Sequence, residues 1–135
     1  MIRYRTGYKY QLDETYSLQL PHAPVQAVDI GVAKLMADGR LTIERGYAWD
    51  GASGPTLDTR DSMRASLVHD VLYQMIRAEQ LTSEPWRKWA DELLYGICVQ
   101  DGMSRIRAGV WYRMVRSFAG SAIRPSAEHP VQVAP

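Results

Sequence analysis

An α+β fold, with a small antiparallel sheet leading into about three helices, follows from three features of this sequence. The first half carries short β-prone runs punctuated by turn residues. The second half carries apolar residues at helical spacing. A glycine-bearing loop, "GYAWDGASGPTLD", divides the two halves. With 135 residues the chain has the length of one domain able to bury a real core. The expectation is a single domain over 1–120 and a flexible or partner-docking tail over 121–135.

In the first half, "YKYQL" and "YSLQL" read as strands joined by the polar "DET", which suggests a hairpin. "PHAP" interrupts, because proline has no N–H for a ladder. "VAKLM", "ADGR" and "LTIER" form the clearest hairpin, with Asp38 and Gly39 suited to a tight turn of the primed type. No internal repeat is evident.

In the second half, a first helix is expected from about Thr59 to Ala78, with Val68, Val71, Leu72, Met75 and Ile76 inward. "LTSEP" stops it and starts a second, with Ser83 as N-cap and Pro85 in the first turn. That helix runs to about Gln100 and buries Trp86, Ala90, Leu93 and Ile97, and "DG" at 101–102 ends it. A third spans roughly Ser104 to Phe118, with Ile106, Val110, Met114 and Val115 inward and Gly120 as C-terminal cap.

Sixteen basic residues against fifteen acidic ones leave no global pull toward nucleic acid. A single cysteine, Cys98, excludes an internal disulfide and any cysteine-based zinc site, and its place on the apolar stripe suits inert core. The opening "MIRYRTGYKY" lacks the apolar core of a signal peptide, and no run approaches the length of a membrane span. The expectation is a soluble protein made inside a cell.

Against this background the run "LVHDVLY" raises a question. His69, Asp70 and Tyr73 sit on a helix that should face inward, and burying such groups is costly unless each has a partner. His69 and Tyr73 are four residues apart and share a face, while Asp70 points about 100° away from His69, toward the preceding loop. There, Gly51 and Gly54 can turn backbone carbonyls toward a common point, and Asp50 adds a carboxylate. Oxygen ligands of this kind, with Asp70, suit a hard cation such as calcium. From His69 the first helix rises about 14 Å to Ala78, and the second returns about 12 Å from Ser83 to Asp91. The two side chains should therefore meet at one height on antiparallel neighbours. A carboxylate on one imidazole nitrogen fixes the tautomer and leaves the other nitrogen free as a base.

"GYAWDGASGP", "HDVLY" and "WADELLYG" resemble an uncharacterised domain family that recurs in bacteriophage genomes and prophages, over about Gly46 to Gly102. More remotely, the glycine loop, "HDVLY" and "AD" are similar to the phospholipase A2 active site, especially its compact disulfide-free form in parvovirus capsid proteins. That resemblance implies His69 as general base for water and Asp91 as the residue orienting it, with Tyr73 bonding Asp91. It further implies Asp70 as a calcium ligand, with the carbonyl of Gly51 and its neighbours. The loop departs from the phospholipase pattern, since its glycines stand three apart and Asp50 and Ser53 intervene. The phage resemblance implies manufacture in a host cytoplasm without a signal peptide, and incorporation in a virion. Partners would be other virion proteins or further copies, with membrane lipid as substrate.

Each residue also has a plainer reading. His69, Asp70, Tyr73 and Asp91 can form a buried network that only locks helices together, as in a non-catalytic tail or connector component. Asp50 and the glycines can form a turn, with Asp50 capping. Ser53 lacks the strained elbow of a nucleophile. Trp86 suits core packing or a lipid interface, and Trp89 falls closer to the exposed side. Arg105, Arg107, Arg113 and Arg116 read as a solvated face or as contacts to acidic lipid, nucleic acid or a partner. His22 and His129, in proline-rich loops, are weak candidates for ligands.

Overall fold

The computed structural model describes residues 2–5, 10–49 and 59–118. Among them the chain forms seven short strands followed by three helices, an α+β arrangement. The strands are β1 (Tyr4–Arg5), β2 (Tyr10–Leu12), β3 (Tyr16–Gln19), β4 (Val28–Asp29), β5 (Ala33–Leu35), β6 (Arg40–Ile43) and β7 (Ala48–Trp49). The helices are α1 (Arg60–Arg77), α2 (Ser83–Gln100) and α3 (Arg105–Phe118). Strand order is β1-β2-β7 in one antiparallel sheet and β3-β6-β5-β4 in the other. No helix among the described residues is long and apolar enough to cross a membrane.

The hairpin expected across "DET" does not form. β2 and β3 lie in different sheets, and both run antiparallel to the segment from Arg40 to Trp49. Tyr10 stands opposite Trp49 and Tyr16 opposite Ile43, so the register carries straight across the bend. Leu12 holds that bend by donating to the Tyr47 carbonyl at 2.8 Å and accepting the Gly46 amide at 2.9 Å. A non-local partner with Tyr47 and Leu12 both buried outcompetes the local turn.

The β5–β6 hairpin forms as expected but with a different turn. Met36 pairs with Arg40, and its carbonyl also accepts the Gly39 amide at 2.9 Å, which leaves a three-residue loop. Only Gly39 takes positive φ there, at 90°, so the turn is not the primed two-residue type. Glycine is needed for space too, since a Cβ would sit 3.1 Å from the carbonyl oxygens of Leu20 and His22.

Thr59 caps α1 in extended geometry, its amide donating to Ser62 Oγ at 3.1 Å. Leu67, Val68, Val71, Leu72 and Met75 are fully buried and share one apolar cluster with Leu35, Leu41 and Ile43 of the sheet. A helix apolar on most sides belongs in the middle of a core, and α1 occupies that place. At α2 the expected cap moves: Glu84 is extended (φ −112°, ψ 130°), so regular turns begin at Pro85 rather than after Ser83. The proline ring disfavours helical backbone in the residue before it. The buried stripe of α2 is Trp86, Ala90, Leu94 and Ile97, with Leu93 only half-buried.

On α3 the expected inward face holds only near its end, where Val115 packs half-buried against the core. Ile106 is 84% exposed and Val110 46% exposed, while Ala108 and Trp111 are buried. Both stripes have helical spacing, and Trp111 removes more apolar area from water than either aliphatic residue can. Gly120, the tail over 121–135 and His129 lie outside the described residues, as do Tyr8 and Lys9 of the first strand run.

Candidate functional site

The site assembles where all three helices meet. α1 carries His69 and Tyr73 one turn apart, with their rings 4.1 Å apart. α2 brings Asp91 to the same height, and Asp91 is 0% exposed. His69 Nε2 lies 2.7 Å from Asp91 Oδ1, and the Tyr73 hydroxyl donates to the same oxygen at 2.6 Å. The antiparallel return of α2 is short because Leu81 folds back, its amide bonding the Met75 carbonyl at 3.3 Å.

The second Asp91 oxygen belongs to a residue that the sequence reading placed on a solvated face. Arg116, from the last turn of α3, donates from Nη1 to Oδ2 at 2.9 Å. Nothing in its position among four arginines of one helix marked it out, since its role depends on how α3 lies against α2. Arg107 likewise turns inward, to Asp61 at 3.4 Å.

These contacts set the electrostatics. Burial alone would raise the Asp91 carboxyl, but the bonds from His69, Tyr73 and Arg116 outweigh it and hold the group below the ordinary carboxylate range. Burial first, then the bond to Asp91, pushes the Tyr73 hydroxyl well above its ordinary value, so it stays a donor. Burial pushes the Cys98 thiol up to about 12, which suits unreactive core. With Nε2 committed to Asp91, the remaining His69 nitrogen is Nδ1. No hydrogen bond to Nδ1 occurs among the described residues, and the side chain keeps 12% of its surface exposed. This geometry can hold one tautomer, with Nε2 protonated and Nδ1 free to accept a proton.

Asp70 points away from His69 and accepts a 2.7 Å bond from the Tyr47 hydroxyl, whose oxygen also lies 2.9 Å from the Gln74 side-chain amide. Tyr47, fully buried just before β7, was not singled out in the sequence, because its partners lie on a helix two dozen residues on. Asp50, Gly51, Ser53 and Gly54 lie outside the described residues. Among those described, no three His, Cys, Asp or Glu side chains cluster as metal ligands. Asp70 there meets a hydroxyl rather than a second carboxylate, so the described residues alone do not make a calcium site.

Trp89, half-buried, stacks on His22 with ring centroids 3.7 Å apart and planes 5° apart, and meets Trp86 edge-on at 5.0 Å. Both residues thereby join the loop after β3 to α2. No protein-family model, curated protein or solved structure matches the chain.

Proposed function

We propose that this chain is a phage-type protein, virion- or tail-associated, with a phospholipase A2-like general-base site for ester hydrolysis in lipid. The observation that carries the chemistry is the 2.7 Å bond between His69 Nε2 and buried Asp91, which leaves Nδ1 over for water. In this reading Nδ1 takes a proton as the water oxygen attacks the ester carbonyl. The same proton then passes to the departing alkoxide as the acyl–oxygen bond breaks. Asp91 orients the ring and Tyr73 holds Asp91. Asp70, with Asp50 and the Gly51 carbonyl, is the cation site the resemblance implies. A bound calcium there would supply positive charge for the developing oxyanion. The phage assignment rests on the likeness of "GYAWDGASGP", "HDVLY" and "WADELLYG" to the prophage domain family.

A second reading is a non-catalytic phage structural component, in which the cluster only packs. What favours it is that Asp91, on α2, takes donors from both α1 and α3 and so clamps all three helices. His69→Ala separates the two. The catalytic reading expects phospholipid-vesicle hydrolysis by the parent, measured in calcium, and none by the folded variant. The packing reading expects no hydrolysis by the parent, and a stability loss of about 1–3 kcal/mol from the lost bond to a buried carboxylate.

A further inference from the structure

We propose that the cleft between α2 and the loop after β3 binds a small organic ammonium ion with an apolar body. The cleft encloses about 270 Å³, near the lower end of the volumes that take small ligands. His22 and Trp89 give it an aromatic side, and Leu93 and Gly96 an apolar floor on α2. Glu92 and Gln100 add the polar groups. At 100° per residue, Trp89, Gly96 and Gln100 lie about 140–180° around α2 from Asp91. The cleft is therefore a second site, on the far side of α2 from the His69 cluster. It does not depend on the hydrolase reading.

Three observations point to a ligand of this chemistry. The walls stand preformed: the Leu20 amide bonds the Gly39 carbonyl at 2.9 Å, and Gln19 donates to the Asp38 carbonyl at 2.6 Å. His22 is stacked on Trp89, and Gln100 is held by Arg64 at 2.8 Å, so little ordering opposes binding. Gly96 is the second. A glycine inside a helix is less stable than alanine, and a Cβ here would meet nothing within 4 Å. Neither backbone nor packing calls for glycine at this point, and its missing side chain leaves cleft space. The third is charge. Glu92 is the one acid of the lining, which contains neither lysine nor arginine. Among the described residues Glu92 makes no hydrogen bond or ion pair, although Lys88 stands one turn away on α2. Arg64, beyond Gln100, is already matched by Asp101. An aromatic wall beside an unmatched carboxylate attracts a cation, and the apolar floor selects one with a hydrocarbon body.

Titration of the full chain with 2-phenylethylammonium, followed by nitrogen-15 NMR, tests this. The Trp89 indole N–H is identified by the signal lost in Trp89→Phe. In the parent that signal should shift saturably. The alcohol 2-phenylethanol, of like shape without the charge, should bind about threefold or more weakly, the contribution of even an exposed ion pair. Glu92→Gln should erase that preference. Gly96→Leu, whose side chain enters the cleft, should abolish the saturable shift while signals elsewhere stay in place. No saturable shift in the parent up to about 10 mM ammonium overturns the proposal. So does equal affinity for ammonium and alcohol, or a preference that survives in folded Glu92→Gln. Undiminished binding by a folded Gly96→Leu places the ligand elsewhere and overturns it as well. Should Gly96→Leu not fold, the alcohol comparison and Glu92→Gln decide.

Discussion

Asp91 is the residue on which most of the site depends. Its carboxylate, itself fully buried, accepts from His69, Tyr73 and Arg116 at distances between 2.6 and 2.9 Å. Because its folded pKa is depressed below the ordinary 3.8, the stabilisation it brings is fully present above that value. It is lost as pH falls through the lower folded value, when the carboxyl is protonated and the three donors lose their charged acceptor. The parent should therefore show a urea midpoint that falls steeply below about pH 4, the unfolded carboxylate range. Asp91→Asn should lower the midpoint at neutral pH and flatten that acid limb. An acid limb equally steep in both proteins would show that other carboxylates govern it. His69, Tyr73 and Asp91 were readable as one cluster because helix rise and a short connection place them at one height. Arg116 was not, because four arginines on one helix look alike until a neighbour selects one.

At the scale of elements, α3 shows how helical spacing can be right and the face of its first turns wrong. The stripe of Ile106 and Val110 and the stripe of Ala108 and Trp111 lie about 150° apart around the helix, and either fits a period of 3.6 residues. Packing chose the second, with Arg107 and Arg116 swung toward Asp61 and Asp91 at its edges. Trp111→Ala should then cost about 3–5 kcal/mol, whereas Ile106→Ala should stay within about 0.5 kcal/mol. Chemical denaturation of the two variants checks this, and equal costs would contradict the observed face. The turn after β5 follows a similar logic. Asp38 and Gly39 do mark a hairpin, but the close approach of Leu20 and His22 places only Gly39 at positive φ.

Across the whole molecule, one apolar cluster runs from Leu12, Leu41 and Ile43 of the sheets through α1 to Trp86 and Trp111. Polar ties reinforce it. Arg64 of α1 holds Asp101 bidentately at 2.8 and 3.0 Å and also donates to the Tyr16 hydroxyl at 3.0 Å, joining β3 to the end of α2. His22 stacked on Trp89 makes a second link between the halves. A shared core of this kind should unfold as one cooperative unit. Far-ultraviolet circular dichroism, dominated by helices, and the tryptophan fluorescence, which includes Trp49 of the sheet, should give coincident urea transitions. Separate midpoints would mean that the strands and helices fold independently.

Composition, turn residues and apolar periodicity determined the α+β class, the three helices to within a residue or two, and the meeting of His69, Tyr73 and Asp91. These are consequences of local backbone geometry, which a sequence carries directly. Tertiary structure alone decided that β2 and β3 separate into two sheets, which face of α3 turns inward, and that Tyr47 holds Asp70 while Arg116 holds Asp91. Each of those outcomes is a competition between partners distant in the chain. It is settled by which pairing buries more apolar area and leaves no buried charge unmatched, and no local pattern records the winner.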